Sequence, residues 1–382
     1  MERTPGKLQA KLAERLQKNA IRSLQSVGNL VDFSSNDYLG LARNGELVRA
    51  AHKFLEGMEL KNGASGSRLL SGNHALYPKL EEFLAAHHHA DTALVFNSGY
   101  DANIGFFSSV PQRGDIVLFD ELVHASIRDG MQMGHAKSYK FAHNDIEDLS
   151  RHIERSRNMD GSTEIYIVTE SVFSMDGDSP DLRGMAKLCK ENNCFLVVDE
   201  AHATGVFGKG TDLISELGLE TEVFARIITF GKAMGCHGAA ILGSRPLTDY
   251  LINFARSFIY TTALPPHAVT SILAAYDFLK GNGAHIAEQL HGNIAHFKQE
   301  MERLQLSDRF IQSHSAIQCM LVPGNAKVKA VAKELQKEGF DVKPILSPTV
   351  KEGQERLRFC LHAYNTSEEI SRILFLLKNE IA

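Results

Sequence analysis

The chain has 382 residues, a length that allows two or three domains and a large buried core. Its net charge of −5, with 23% charged and 43% hydrophobic residues, gives no electrostatic indication of binding to nucleic acid or an anionic membrane. No apolar run reaches the roughly 18 to 20 residues of a membrane span, and the charged N-terminus lacks the apolar centre of a signal peptide. We therefore expect a cytoplasmic protein.

Five cysteines and a run of histidines are the candidate residues for disulfides or a metal site. The five cysteines are an odd number without paired metal spacing, which predicts reduced thiols. Three consecutive histidines occupy positions 87–89. Successive helical residues point about 100° apart, so the three cannot face one ion, and we interpret the run as a solvated helix end. No metal is expected.

The first predicted element is a helix over about residues 1–20, which leads into "NLVDFSSNDYLGLA". From residue 75 onward short apolar runs alternate with helical patterns, as in βα units. The predicted strands are Thr92–Phe96, Asp115–Phe119, Glu164–Thr169, Phe195–Val198, Arg226–Thr229 and Ala239–Leu242, with helical patterns at 79–89, 145–156 and 181–192. The runs "EIYIVTE" and "CFLVVDE" are almost wholly apolar, which indicates central strands covered on both faces. These elements predict a large α/β domain.

After "YTTALPP" at 260–266 the pattern changes to a long helix over about 267–305 and a smaller α+β unit. Strands are predicted near 316–322 and 355–361. In "TSEE", Thr366 and Glu369 have the spacing of a capping box, which predicts that the last helix begins there. The predicted domains are 1–40, a helix and extension; 41–265, the large α/β domain; and 266–382, a linking helix with the α+β domain.

Asp199 follows a buried strand in "FLVVDEAHATG", the usual position of ligand-binding residues in α/β sheets. "DEAH" also occurs in NTPases, but they need a phosphate loop, and no G-x-x-x-x-G-K-[ST] is present. A dehydrogenase is disfavoured in the same way, because no G-x-G-x-x-G follows a first strand.

In "ALVFNSGYDAN", an apolar strand runs into Ser98, Gly99 and Tyr100 and then into a helical pattern. Glycine lets the backbone approach an anion, and the helix N-terminus offers free N–H groups with a positive dipole end. Phosphate binding is one interpretation of this turn. Glycine needed only for packing is the other.

Lys232 lies in "IITFGKAMGCHGAA", three residues after Thr229 at a strand end, with Arg226 as its nearest charged neighbour in sequence. A desolvated lysine favours its neutral amine and can act as nucleophile or base. Alternatively, the side chain extends from a buried turn to water. Both interpretations remain open for this residue alone.

The three features together suit pyridoxal 5′-phosphate (PLP). A lysine forms the covalent attachment, a carboxylate keeps the pyridine nitrogen protonated, and a helix N-terminus holds the phosphate. The carboxylate matters because the protonated ring accepts electrons when a bond to the substrate's Cα breaks.

The same stretches resemble the α-oxoamine synthase family of fold-type-I PLP enzymes. The resemblance is carried by "GASGSRLLSGN", "HASIRDG", "TESVFSMDGDSPDL", "VVDEAHATGVFG", "TFGKAMGCHGAA" and "ERLRF", and extends from "VDFSSNDYLGLA" to the final helix. It implies a large domain with a mostly parallel central sheet covered by helices, plus a smaller C-terminal α+β domain. Within the family, "SRLLSGN", "KFAHND", "FARSFIYTTALPP" and "SAIQ" are most similar to members that serve biotin biosynthesis.

The resemblance also implies roles for individual residues. Lys232 is expected to anchor the cofactor and remove the Cα proton, Asp199 to pair with the pyridine nitrogen, and His124 to stack on the ring and help place substrate. The other expected cofactor contacts are Gly99, Tyr100, Ser174, His202, Thr229, Thr261 and Thr262. The other expected substrate contacts are Arg22, Asn36, Thr349 and Arg358. Family members are homodimers with shared active sites, so Thr261 or Thr262 is expected to reach the neighbouring subunit's phosphate.

The reaction that the resemblance implies is a PLP-dependent decarboxylative condensation of L-alanine with a pimeloyl thioester, carried by coenzyme A or acyl carrier protein. The alternatives are another α-oxoamine synthase, using glycine with an acetyl group or serine with a long acyl chain, and a non-catalytic partner subunit. The intact Lys232, Asp199 and His124 argue against the latter. One departure is Leu346 in "ILSPTV", where many relatives have arginine in "IRPPTV". Acyl recognition is therefore expected to be either rearranged or directed elsewhere.

Overall fold

The computed structural model describes residues 4–24, 28–56, 58, 61–157 and 163–381. In chain order its α-helices are α1 (Gly6–Gln17), α2 (Gly45–Leu55), α3 (Leu76–His87), α4 (Gly99–Ser109), α5 (Ala125–Met133), α6 (Ile146–Arg157), α7 (Leu182–Glu191), α8 (Leu213–Leu217), α9 (Arg245–Phe254), α10 (Arg256–Ile259), α11 (Pro266–Arg303), α12 (Asn325–Lys337) and α13 (Ser367–Ile381). Its strands are β1 (Val31–Asp32), β2 (Thr92–Phe96), β3 (Ile116–Asp120), β4 (Lys137–Phe141), β5 (Ile165–Glu170), β6 (Phe195–Asp199), β7 (Ala225–Thr229), β8 (Ala239–Gly243), β9 (Ile317–Leu321), β10 (Phe340–Asp341), β11 (Lys343–Ile345) and β12 (Arg356–Cys360). Within these ranges every helix is too short or too polar to serve as a membrane span.

The larger of two compact units comprises residues 36–174 and 179–288. Its seven-stranded sheet has the order β2-β8-β7-β6-β5-β3-β4. The pairs β7-β6-β5-β3-β4 are parallel, whereas β8 is antiparallel to both β2 and β7. The two nearly all-apolar runs form β5 and β6 near the centre of the sheet, which confirms their prediction and the α/β fold class.

Helices cover both faces of this sheet because successive strand residues point to opposite sides. Val197 packs in a cluster with Phe106 of α4 and Ile127 of α5. Its neighbours Leu196 and Val198 pack in a second cluster with residues of α6 and α7. Both faces of the central strands are therefore buried, and the sheet forms a rigid base for the loops at its edges.

The six strands predicted in this unit agree with β2, β3, β5, β6, β7 and β8 to within one residue at each end. Strand β4 was not predicted. It lies at the edge of the sheet, β3 is its only partner among the described strands, and four of its five residues are exposed. An exposed edge strand needs no apolar run, so the sequence "KSYKF" does not have the hydrophobic pattern that marks the other strands.

The smaller unit comprises residues 1–35, 175–178 and 289–382. It contains a three-stranded antiparallel sheet, β11-β12-β9, and a short parallel pair of β1 with β10. At α13 the predicted capping box is present: Glu369 N donates to Thr366 Oγ1 at 3.2 Å, and Thr366 N donates to Glu369 Oε2 at 2.9 Å. The boundary between the units falls inside α11, and the predicted division at residues 40 and 265 stays a prediction.

The histidine run at the end of α3 differs from its interpretation as a solvated helix end. His88 is completely buried. Its Nδ1 lies 2.7 Å from Asp212 Oδ2, and its Nε2 lies 2.8 Å from the Tyr276 hydroxyl. Arg226 also contacts Asp212, at 3.1 Å. The interpretation was wrong for His88 because the polar partners that make its burial possible come from distant parts of the chain, whereas His87 is half-buried and His89 is exposed.

Candidate active site

The candidate site lies where the strands of the larger unit end. Glu170, Asp199 and Thr229 are the last residues of β5, β6 and β7. Because these strands are parallel, their carboxyl ends meet at one edge of the sheet, the usual place for ligand sites in α/β folds. They line a cavity of about 170 Å³, together with Gly99, Tyr100, Asn103, His124, Ser126, Ala201, His202 and Lys232. The structure thus brings together seven predicted site residues: Gly99, Tyr100, His124, Asp199, His202, Thr229 and Lys232.

The N-terminus of α4 forms one wall of the cavity. Ser98 caps the helix by accepting a hydrogen bond from Asp101 N at 3.1 Å. Gly99 is the first helical residue, and a Cβ atom there would lie 3.6 Å from Thr229 Oγ1. The start of the helix and the Thr229 hydroxyl are therefore neighbours. Free N–H groups, the positive helix end and a hydroxyl are together suited to a phosphate.

Lys232 lies on a short loop between β7 and β8 that is closed by backbone hydrogen bonds. Phe230 N donates to Gly238 O at 2.9 Å, and Gly235 N donates to Lys232 O at 2.9 Å. Gly235 has a φ of +63°, and a Cβ atom there would clash with the backbone nitrogen of Ala42. This glycine is therefore required by close backbone packing, a reason that sequence reasoning did not find. The loop holds the half-buried lysine at the cavity.

Asp199 is held by two hydrogen bonds. Its Oδ1 accepts from Ala201 N at 2.9 Å, and its Oδ2 accepts from Asn103 Nδ2 at 2.8 Å. Asn103 is itself buried and was missed from the sequence. Its position four residues after Gly99 on α4 was the available signal, because that spacing places two residues on one helix face. The result is a carboxylate whose orientation is set before any ligand binds.

His124 occupies the N-cap position of α5. Its Nδ1 lies 2.7 Å from Ser126 Oγ, and its backbone N–H donates to Glu170 Oε1 at 2.6 Å. The pKa of His124 is lowered mainly by burial; Asp199 opposes this change, and the Lys232 ammonium adds to it. The imidazole is therefore neutral at neutral pH and can lie against a flat ring without bringing a second positive charge.

Glu170 is a second residue that sequence reasoning missed. It is 3% exposed, and burial, followed by the neighbouring Asp199 carboxylate, raises its pKa to about 8. At neutral pH its carboxyl group is therefore protonated and is able to donate a hydrogen bond. The signal was an acidic residue ending a buried strand, "IYIVTE", the same pattern that pointed to Asp199.

Asn36 and His202, both predicted site residues, are connected through Tyr38. The Tyr38 hydroxyl donates to Asn36 Oδ1 at 3.1 Å and lies 2.7 Å from His202 Nδ1. Tyr38 is 1% exposed, so this arrangement is fixed by packing. It was missed although it lies inside the quoted "SSNDYLG".

Three predicted cofactor contacts in the larger unit do not line the cavity. Ser174 is half-buried beyond β5. The Asn97 side-chain nitrogen donates to Thr261 Oγ1 at 3.0 Å and to Thr262 O at 2.6 Å. Because Asn97 directly precedes Ser98, the two threonines are tied to the segment that leads into α4.

The predicted substrate contacts of the smaller unit form two groups. Arg22 Nη2 donates to Thr349 Oγ1 at 3.0 Å, so these two residues are brought together. Arg358, on β12, is 7% exposed, and its Nη1 donates to Cys360 Sγ at 2.8 Å. Both groups present a guanidinium, the group suited to binding a carboxylate.

The residues of the cavity fit PLP. An amine, a carboxylate and a helix N-terminus with an adjacent hydroxyl are the groups that attach, polarise and hold this cofactor. In addition, among the described atoms Asn103 Oδ1 is buried without a hydrogen-bond partner. A buried acceptor in the wall of a cavity is suited to a polar ligand.

The sequence profile described as aminotransferase class I and II matches residues 28–375. The chain belongs to this family. Among its relatives, an 8-amino-7-oxononanoate synthase from Emericella nidulans is 42% identical over 90% of this chain and 87% of its own length. Another 8-amino-7-oxononanoate synthase, from Marinobacter nauticus, is 38% identical over 91% of this chain and 86% of its own length. The expected resemblance to α-oxoamine synthases is thereby confirmed.

Solved structures of this family agree with the fold. A serine palmitoyltransferase from S. paucimobilis with a bound PLP–myriocin aldimine has a TM-score of 0.86 and 26% identity, covering 98% of this chain and 96% of its own. An 8-amino-7-oxononanoate synthase from Francisella tularensis has a TM-score of 0.77 and 27% identity, covering 92% and 98%. The comparisons confirm the predicted fold-type-I class, and they agree with the predicted enzyme class and cofactor. The roles of individual site residues stay predictions.

Proposed function

We propose that this chain is a PLP-dependent acyltransferase that condenses L-alanine with a pimeloyl thioester. The products are 8-amino-7-oxononanoate, the free thiol of coenzyme A or acyl carrier protein, and carbon dioxide, as a step of biotin biosynthesis. The observation that carries the proposal is the convergence of Lys232, Asp199 and His124 on one cavity beside the N-terminus of α4. The names of the curated relatives support the choice of substrates.

In the overall reaction a carbon–carbon bond forms between the alanine Cα and the thioester carbonyl carbon. The carbon–sulfur bond breaks, the thiol leaves, and the alanine carboxyl group leaves as carbon dioxide. When bound, PLP supplies an electron sink that stabilises negative charge at the Cα. The task of the protein is therefore to hold charges in place and to move protons.

Three groups of the cavity, and Arg358 of the smaller unit, have proposed tasks in this reaction. The Lys232 amine takes the Cα proton and returns a proton at the end. Asp199, fixed by Asn103 and Ala201, keeps a proton on the cofactor's ring nitrogen through its negative charge. Neutral His124 would help hold the cofactor by packing on its ring. Arg358 binds the amino-acid carboxylate through its planar fork.

The first experiment measures release of free thiol across a panel of amino acids and acyl thioesters. L-Alanine with pimeloyl-CoA or pimeloyl acyl carrier protein is expected to give the highest kcat/KM. The panel includes glycine with acetyl-CoA and serine with palmitoyl-CoA, because serine palmitoyltransferases are among the structural neighbours. Preference for either of those pairs would replace the proposed substrates within the same reaction class.

A second experiment tests the central lysine. Lys232→Ala is expected to abolish turnover and the visible absorbance of attached cofactor. Lys187→Ala serves as the matched control, because Lys187 is a surface residue of α7, paired with Glu191 at 3.8 Å. Normal turnover of the Lys232 variant would refute the proposal.

We further propose a cytoplasmic homodimer with shared active sites, in which Thr261 or Thr262 reaches the partner's phosphate. Support for a reducing compartment comes from the cysteines, all five of which are free thiols. Mixing Lys232→Ala subunits with Thr261→Ala/Thr262→Ala subunits should restore activity that neither parent has. Absence of restored activity in mixed dimers would contradict the sharing of sites.

A further inference from the structure

The smaller unit contains a second cavity, of about 260 Å³, whose lining combines positive charge with an apolar wall. Arg15 of α1 and Arg22 line it together with Pro344, Ile345, Leu346 and Pro348. No acidic side chain is among its lining residues in the described part of the chain. Of its lining residues, Arg22 and Thr349 are predicted substrate contacts, and Arg15 is not.

Both arginines have neutral partners. Arg15 Nη1 donates to Ala20 O at 3.4 Å, and Arg22 Nη2 donates to Thr349 Oγ1 at 3.0 Å. Over the described ranges neither guanidinium forms an ion pair with a carboxylate. The pKa of Glu14, the residue before Arg15, is lowered mainly by its hydrogen bond with Lys18 at 2.8 Å and also by the Arg15 charge, so Glu14 already has a closer cationic partner. The lining of the cavity therefore carries net positive charge and favours an anionic ligand.

The apolar wall specifies what else the ligand must contain. Ile345, Leu346 and the two prolines offer hydrocarbon surface and no charge. A guanidinium binds a carboxylate through two parallel hydrogen bonds. A carboxylate on an aliphatic chain therefore matches both halves of the cavity. Leu346 contributes apolar surface to the cavity, and the positive charge of the cavity comes from Arg15 and Arg22.

We propose that Arg15, together with Arg22, binds the free terminal carboxylate of a dicarboxylic acyl thioester and thereby selects the acyl chain. The inference rests on the proposed function for the identity of the ligand as an acyl substrate. Arg15 is a substrate-selecting residue that the resemblance did not point to. Helix α1 has no fully buried residue, so substitution of Arg15 leaves the core of the unit unchanged.

The kinetic test compares pimeloyl-CoA with heptanoyl-CoA, which has the same chain length and carrier but no terminal carboxylate. Arg15→Gln is expected to raise KM for pimeloyl-CoA at least about tenfold, the usual effect of losing one hydrogen bond between charged groups. The kcat value and the KM for heptanoyl-CoA should stay within about twofold. Arg15→Lys, which keeps the charge without the fork, should restore part of the preference.

The matched control is Lys7→Gln, which removes one positive charge from an exposed position of the same helix. It is expected to leave both KM values unchanged. A binding measurement independent of turnover is calorimetry with pimelate and heptanoate on the protein without cofactor. Pimelate should bind the parent protein more tightly than heptanoate, and Arg15→Gln should remove that preference.

Each outcome decides the inference. If Arg15→Gln raised KM equally for both thioesters, Arg15 would contact the phosphates of the carrier. If KM changed for neither thioester, Arg15 would contact no substrate. Either result overturns the proposal. If the parent protein releases no thiol with any substrate pair, the proposed function fails. In that case the pimelate measurement still accepts or rejects the carboxylate site.

Discussion

Asn103 Nδ2 donates to Asp199 Oδ2 at 2.8 Å, and it also lies 3.0 Å from Ser126 Oγ. Ser126 in turn lies 2.7 Å from His124 Nδ1. One buried amide on α4 therefore links the carboxylate expected to face the cofactor's nitrogen with the histidine expected to lie against its ring. These two groups are oriented by a residue that has no acid–base chemistry of its own.

Replacing Asn103 should therefore weaken cofactor binding. In Asn103→Ala the Asp199 carboxylate loses a buried donor, a loss of about 1 to 3 kcal/mol. We expect PLP to bind roughly tenfold more weakly, measured by absorbance titration. Asn253→Ala is the control, because Asn253 is an exposed residue of α9 whose Nδ2 donates to Asp249 O of the same helix at 2.8 Å. Equal PLP affinities of the two variants would contradict the positioning role.

Glu170 should make the stability of the cofactor-free protein depend on pH. Its pKa is raised from 4.5 to about 8, mainly by burial. Below pH 4.5 the carboxyl is neutral in the folded and unfolded chain, and the contribution of Glu170 to stability is fully present. Between pH 4.5 and about 8 the unfolded chain has released this proton while the folded chain still holds it, so the stability falls as the pH rises. Above about pH 8 the contribution of Glu170 is lost.

In Glu170→Gln the side chain cannot ionise, so the pH dependence of stability that comes from Glu170 should disappear. The variant should gain stability relative to the parent between pH 5 and pH 8, by up to about 1.4 kcal/mol for each pH unit. Melting temperatures of both cofactor-free proteins, measured across that range, provide the test. If the melting temperatures of the two proteins changed in parallel with pH, Glu170 would already be charged in the folded protein at the low end of this range.

Cys360 should influence the affinity for the amino acid through Arg358, whose Nη1 donates to its sulfur at 2.8 Å. Cys360→Val removes the acceptor and keeps an apolar side chain of similar size. It should raise KM for L-alanine severalfold while leaving KM for the thioester unchanged. Cys360→Ser retains an acceptor and should behave nearly as the parent. Steady-state kinetics with each substrate varied in turn measure both constants.

A result in which the valine variant changes both KM values equally would argue against a specific effect on the amino-acid carboxylate. A variant with normal KM for L-alanine would show that other contacts are enough to orient Arg358. Because Cys360 is completely buried, the folded state of each variant should be checked first by thermal unfolding.

Gly235 should be irreplaceable in the loop that carries Lys232. Its φ of +63° disfavours any residue with a Cβ, and that Cβ would clash with the backbone nitrogen of Ala42. Gly235→Ala is expected to reduce the free energy of unfolding by about 2 to 5 kcal/mol. Urea denaturation measures this loss.

The control for Gly235 is Gly281→Ala on α11, where a Cβ would meet no atom within 4 Å. This change should stabilise the protein by about 0.5 to 1 kcal/mol, because alanine is the better helix former. Similar stabilities of the two variants would contradict the packing argument for Gly235.

Much of the larger unit was predictable because its signals are local. Central strands such as β5 and β6 are buried on both faces, so their sequences are continuous apolar runs that can be recognised without a structure. Asp199 and Thr229 stood out because they end such runs, and the capping box of α13 needs only Thr366 and Glu369, three positions apart. The family-level similarity then added His124 and His202, which no local pattern distinguishes.

The sequence by itself therefore determined the main strands, the last helix and the residues at the strand ends, since each depends on neighbours a few positions away. Only the tertiary structure decided that Asn103 orients Asp199, that Glu170 is buried beside the same carboxylate, and that Arg15 shares a cavity with Arg22. It also decided that His88 is buried against Asp212. Burial and hydrogen bonding depend on which distant segments pack together, and only the folded chain establishes those contacts.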